Sequence, residues 1–213
     1  MDAHEAPVDD LVRQAVAGDQ AALVALFDQH RDRLRHMIRL RLDRRLQGRV
    51  DPSDVLQDAF VDLSEKLSDY KTRGELPFFL WLRLVVGERL LRVHRHHLGA
   101  AMRDAGREVS IHQAASPQAS SASLAAQLLG KLTTVSRAVA RSEMQQMLQD
   151  ALDGMDPIDR EVIALRHFEE LSNHEVALVL GLTKAAASKR YVRAMLRLKE
   201  VLGEMPDLRE LAP

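Results

Sequence analysis

Between Leu171 and Lys199 the chain reads LSNHEVALVLGLTKAAASKRYVRAMLRLK, two helical stretches broken at a glycine. Ser172, with Glu175 three residues on, has the pattern of a capping box, in which each residue satisfies a backbone N–H of the other. Val176, Ala177, Val179 and Leu180 supply an apolar stripe. Gly181 takes the turn, where the lack of a Cβ makes a positive φ free of steric cost. Leu182 then returns toward the core, and Thr183 is placed to cap a second helix that is Ala-rich and strongly helix-forming from Lys184 onward. The exposed positions of that helix carry Lys184, Ser188, Lys189, Arg190, Arg193 and Arg197, while Ala187, Tyr191, Ala194, Leu196 and Leu198 are placed to pack inward. Six basic residues stand against one acid between Lys184 and Glu200. A plain two-helix packing unit shares the periodicity. The slim, cationic N-terminal end fits a helix-turn-helix that enters a DNA major groove.

A chain of 213 residues is long enough for one or two domains. Only 4% of residues are aromatic, and no β-branched alternation recurs, so the fold class expected is all-α. The net charge of −1 does not announce a nucleic-acid binder, but its distribution is uneven. Eight Arg face two Asp between Arg31 and Val50, whereas six acids face one Lys between Asp51 and Tyr70. Such segregation fits separate surfaces for separate partners, and also fits solvated helix faces. The absence of cysteine removes disulfide and thiolate chemistry and agrees with a reducing cytoplasm. MDAHEAPVDD is acidic and has no signal-peptide pattern, and no apolar run is long enough to span a membrane. A cytoplasmic protein with no membrane contact is expected.

Along the chain, a helix over Val8–Ala17 stops at Gly18, and Asp19 caps a second helix that ends near Gly48. Asp51-Pro52 opens a third, with Pro in the first turn where its missing N–H is harmless. Leu56, Ala59, Phe60, Leu63 and Leu67 form its buried stripe. Asp54, Gln57, Asp58, Val61 and Glu65 form the opposite face, which suits a basic partner and suits solvent equally. Pro77 opens a fourth helix, apolar around Phe78, Trp81, Leu82 and Val85, then basic at Arg89, Arg92, Arg95 and His96. Part of that charge needs no ligand, because cations at a helix C-terminus are favourable with the macrodipole. His94, His96 and His97 converge poorly for a metal and lack a nearby carboxylate or cysteine, so no metal site or cofactor is expected. Residues 99–136, rich in Ala, Ser and small polar residues, read as a connector that is partly helical and partly mobile. Helices over Arg137–Met155 and from Asp156-Pro157 then lead into the helix-turn-helix. Two small helical domains joined by a flexible linker result: 1–98, a linker over 99–136, and 137–213.

In this order the pieces resemble the extracytoplasmic-function (ECF) group of the sigma-70 superfamily, bacterial initiation factors of RNA polymerase. The likeness covers about residues 19–98 and 141–203. DPSDVLQDAFVDLSEKLSDY resembles the acidic segment that docks on the clamp helices of the polymerase β′ subunit. FFLWLRLVVGERLLRVHRHH is similar to the helix that melts and reads the −10 element. MDPIDREVIALRHFEELSNHEVALVLGLTKAAASKRYVRAMLRLKEVL resembles the domain that reads the −35 element.

The resemblance implies a sigma factor that binds core polymerase (the β′ clamp helices and the β subunit) and promoter DNA, with an anti-sigma factor as a further possible partner. It implies that Asp54, Gln57, Asp58, Val61 and Glu65 face polymerase. It implies that Arg89, Arg92, Arg95 and His96 lie along −10 DNA, and that Thr183, Lys184, Ser188, Lys189, Arg190 and Arg193 lie at the −35 element. No catalytic residue is implied, since polymerase does the chemistry.

The chain departs from the family at Gly87-Glu88, where a basic residue followed by Asn is usual, and at Ser188, where Lys is common and Lys189 stands one position on. A stand-alone helix-turn-helix regulator accounts for the C-terminal module but leaves the acidic and Trp-bearing helices without a role. A metal-dependent hydrolase built on Asp51, Asp54, Asp58 and the histidines lacks any evident nucleophile–base pair.

Overall fold

Nine α-helices and no strand occupy the described residues of the computed structural model, which are 5–72, 76–98, 116–132 and 138–204. The chain divides into two units, residues 1–117 and 118–213. Fold class and helix order are as the sequence implies, with differences at the ends of elements.

The first unit comprises α1 (Glu5–Val16), α2 (Gln20–Arg41), α3 (Pro52–Thr72) and α4 (Phe78–Leu98). Asp19 caps α2 by accepting from the N–H groups of Ala21 at 2.8 Å and Ala22 at 3.2 Å. That helix ends at Arg41, earlier than the expected end near Gly48, because Leu42 turns extended and Asp43 caps a separate 3-10 turn, Arg44–Leu46. Leu26, Leu34 and Ile38 of α2, Ala59 and Leu63 of α3, and Leu82, Val86 and Leu90 of α4 are fully buried. Each such Leu or Ile contributes about 1.5–3 kcal/mol by leaving water. Tyr70, Phe78 and Trp81 cluster with ring centroids 5.3–5.7 Å apart, and the Tyr70 hydroxyl donates to the Leu76 carbonyl at 3.2 Å. This fastens the start of α4 to the end of α3. Buried Arg41 donates to the Pro117 carbonyl at 2.7 Å, which ties residue 117 to this unit.

The second unit comprises α5 (Ser121–Leu132), α6 (Ala138–Asp153), α7 (Pro157–Ile163), α8 (Asn173–Leu180) and α9 (Lys184–Glu204). Helix α5 packs on α6, and α9 packs on α6, α7 and α8. The connector expected over 99–136 is described over 116–132, and 121–132 of it are helical. Leu124, Ala125, Leu128 and Leu129 of α5 are buried, a helical stripe masked by the small polar residues around it. Ser120 caps this helix by accepting from the Ser123 N–H at 3.1 Å. Residues 99–115 and 133–136 of that connector lie outside the described residues.

After α7 the backbone enters a π-helical turn, Ala164–Phe168, in which the Glu169 N–H reaches back to the Ala164 carbonyl at 3.0 Å. Glu170 then adopts a φ of +56°, a left-handed conformation that ends the turn and directs the chain into α8.

Candidate nucleic-acid interfaces

The turn between α8 and α9 follows its local chemistry. Ser172 accepts from the Glu175 N–H at 3.2 Å, while the Glu175 carboxylate accepts from the Ser172 N–H at 2.7 Å. Gly181 sits at φ +63°, the Leu182 N–H returns to the Ala177 carbonyl at 2.9 Å, and Thr183 caps α9 by accepting from Ala186. The Asn173 side chain also donates to the Lys184 carbonyl at 2.9 Å, which fixes the start of α9 against α8. Thr183, Lys184, Ser188 and Lys189 are exposed. Ala187, Ala194 and Leu198 are buried and Tyr191 is half-buried, one stripe at helical spacing. Leu196 does not join them as expected. It is 57% exposed, because it lies about 200° around the helix from Ala194.

Arg190 and Arg193 are not free cations on that surface. Both are held by Asp159 of α7, whose side chain is 7% exposed. Arg190 Nη1 donates to Asp159 Oδ1 at 2.6 Å, and Arg193 donates through Nε and Nη2 at 2.6 and 2.8 Å. Burial pushes the Asp159 carboxyl up, but the hydrogen bonds and charges of the two guanidinium groups outweigh it and hold the group below the usual carboxylate range.

In the first unit, Asp54, Gln57, Asp58, Val61 and Glu65 line one exposed face of α3, with Val61 54% exposed among the carboxylates. Val55, Leu56, Ala59 and Leu63 are buried on the other side. On α4, Arg95 and His96 are exposed. Arg89 and Arg92 instead converge on Asp62, a carboxylate 9% exposed on α3. The Glu88 side chain, out of place beside DNA, is paired with Lys66 of α3. Asp62 and Asp159 were not legible as functional positions. The available signal was phase: Asp62 sits at the edge of the Asp58–Glu65 face, about 60° around α3 from the buried Ala59.

A family sequence model described as Sigma-70, region 4 matches residues 145–198, from within α6 through most of α9. The chain is 25% identical over 200 residues to the ECF RNA polymerase sigma factor SigD of Mycobacterium tuberculosis, covering 94% of this chain and 86% of that protein. The family model and the names of these relatives support a likeness to the ECF group of the sigma-70 superfamily. The RNA polymerase sigma-E factor of Streptomyces antibioticus is 39% identical over 62 residues, 29% of this chain. That match spans about a third of the relative's length, 34%. Among solved structures, CnrH in complex with the cytosolic domain of CnrY aligns with a TM-score of 0.52 at 25% identity, covering 90% of this chain and 94% of CnrH. No helix among the described residues of this chain is long and apolar enough to cross a membrane.

His94 is a structural residue. It is 3% exposed and accepts from the Asp43 N–H through Nε2 at 3.2 Å, which joins the 3-10 turn to α4. A protonated imidazole has no lone pair for that bond. Burial lowers the His94 pKa from its ordinary 6.5; Asp43 opposes the shift and Arg45 adds to it. The unfolded chain therefore binds the proton first, and the stabilisation is complete above about pH 6.5 and is lost as pH falls below it toward the lowered folded value. The melting temperature of the first unit should fall by about 3 °C between about pH 7.5 and about pH 5.5, and His94→Gln should shrink that difference. Paired thermal scans by circular dichroism check this.

Proposed function

We propose that this chain is a sigma factor that directs promoter-specific initiation by docking on core RNA polymerase through α3, opening the −10 element along α4 and reading the −35 element with α9. The first unit then serves as the sigma-2-like domain and the second as the sigma-4-like domain. One observation carries the reading beyond a stand-alone regulator. The same chain that holds a region 4 helix-turn-helix also presents an exposed acidic face around Val61, with Leu56, Ala59, Leu63 and Leu67 of the same helix buried in the core. On this reading Asp54, Asp58 and Glu65 meet basic groups of the β′ clamp helices, and Gln57 and Val61 fill the centre of the contact. The β subunit is a further partner. Phosphodiester chemistry belongs to polymerase, in the cytoplasm where it works.

At the −10 element Arg95 and His96 meet DNA directly, and Arg89 and Arg92 join them. Strand separation costs a few kcal/mol per flipped base, offset by stacking and backbone contacts. At the −35 element Thr183, Lys184, Ser188 and Lys189 approach base edges, while Arg190 and Arg193 meet phosphates from the Asp159 side of the helix. Phosphate contacts strengthen all sequences alike, and contacts with base edges discriminate among them. By analogy with CnrH, found with the cytosolic domain of CnrY, this chain also takes an anti-sigma partner.

The test is reconstituted transcription with core polymerase on a promoter library. Ser188→Ala and Lys189→Ala should each change the preferred −35 bases by about 1–3 kcal/mol of discrimination. Unchanged preference in both overturns the docking of α9. Tight promoter binding without core, and no stimulation by core, favours the stand-alone regulator.

A further inference from the structure

Arg89 is held through two of its three guanidinium nitrogens. Its Nε and Nη2 donate to the two oxygens of Asp62 at 2.7 and 2.5 Å. Its Nη1 lies 3.6 Å from the Asp58 carboxylate, and Nη2 also reaches the Asp58 carbonyl at 3.5 Å. Arg92 donates to Asp62 as well. Two cations assigned to DNA are thus neutralised by neighbours on α3, and only 24% of the Arg89 side chain is exposed. A phosphate that takes Arg89 must break a bidentate, charge-assisted pair and leave Asp62 buried with less compensation. Asp58 stands differently. Its side chain is 61% exposed and lies on the face of α3 that surrounds Val61.

We propose that Asp62 and Asp58 form a charge latch that withholds Arg89 and Arg92 from nucleic acid in the free protein and is loosened when polymerase docks on α3. The coupling rests on the reading of that face as the docking surface. A partner cation brought to Asp58 weakens the hold of that carboxylate on Arg89 and repels the guanidinium at the same time. Glu65, further along the same face, also stabilises charged Arg89 and would be engaged by the same contact. Arg95 and His96, exposed beyond the latch, remain available throughout. Docking on one side of the α3–α4 pair thereby adds charge to the DNA side without any movement of a helix.

The experiment measures binding of the full-length free protein to a short mixed-sequence single-stranded DNA by fluorescence anisotropy across a salt series. Circular dichroism verifies folding of every variant, and binding to core polymerase is measured alongside. Asp62→Asn should bind the DNA about 10-fold tighter and steepen the salt slope by about 1.4, the value for two released cations on a single strand. The gain should vanish when Arg89→Ala and Arg92→Ala are added. Asp28→Asn, which removes an equal charge from α2, should change affinity by less than about twofold.

Weaker or unchanged binding in Asp62→Asn overturns the latch and makes Asp62 a packing or positioning residue. A gain that survives loss of both arginines, or that Asp28→Asn reproduces, overturns it too. A second comparison does not need the Asp62 variant to fold. In the otherwise native chain, the Arg89→Ala, Arg92→Ala double variant should bind the oligonucleotide within about twofold of wild type, yet lose about 10-fold or more in promoter complexes with core. Equal losses in both settings overturn the latch. Failure of the native chain to bind core sinks the docking reading and the coupling, while the free-protein affinities still decide whether the arginines are withheld.

Discussion

Asp54→Lys combined with Val61→Arg should lower affinity for core RNA polymerase by about 100-fold while leaving the helical content of the protein unchanged. The size follows from the position of the two residues. Val61 is 54% exposed in the middle of an acidic face, so an Arg there meets no buried neighbour and costs the fold little. Against a basic partner the same Arg places like charge at the centre of the contact, where single residues carry about 2 kcal/mol or more. Asp54→Lys adds a reversed charge at the rim, felt mostly in the association rate and its salt dependence. Asp58 is left alone because its carboxylate also faces Arg89. Equilibrium binding to purified core, with a circular dichroism control, tests the expectation. Native affinity in the double variant would remove α3 from the docking account.

The second large effect lies in the helix-turn-helix unit and is one of stability. Arg190→Ala should destabilise the second unit by about 2 kcal/mol, because it strips Asp159, 7% exposed, of one of its two guanidinium partners. Lys189→Ala, one residue earlier and exposed, should stay within about 0.5 kcal/mol of the native protein. Denaturant unfolding of the two variants separates them. The sign of the pH dependence offers a second check. Asp159 is held below the usual carboxylate range, so its contribution is present above that range and is lost as pH falls through the lowered value. That acid-side loss should be smaller in Arg190→Ala. Equal stability of the two variants would return Arg190 to the status of a plain surface cation.

These two expectations mark where sequence was and was not sufficient. The capping box at Ser172 and Glu175, the left-handed Gly181 and the phase of Asp54, Gln57, Asp58, Val61 and Glu65 are local properties, carried within a few residues of each other, and all could be read directly. The pairings of Asp62 with Arg89 and Arg92, and of Asp159 with Arg190 and Arg193, join residues 27 to 34 positions apart. Nothing local announces them. A cation at an exposed phase of a helix looks the same whether its partner is a phosphate or a carboxylate on the next helix. Helix α5 lies within the stretch read as a partly helical connector, where alanine and serine dilute the stripe of Leu124, Ala125, Leu128 and Leu129 and leave its packing unannounced. Leu196 shows the converse, an apolar residue whose helical phase, not its hydrophobicity, decides that it is exposed.

The π-helical turn at Ala164–Phe168 has a consequence for protein engineering. A π turn accommodates one residue more than the α-helical path it replaces, and one residue is worth roughly 100° of rotation about a helix axis. The angular setting of α8 and α9 against α7 is therefore stored in the length of this short segment. When helix-turn-helix heads are exchanged between related chains, a junction upstream of Ala164 transfers that rotational offset together with the head. A junction downstream of Glu170 leaves the offset of the recipient in place, and a transplanted α9 with every exposed residue intact then turns a different side outward.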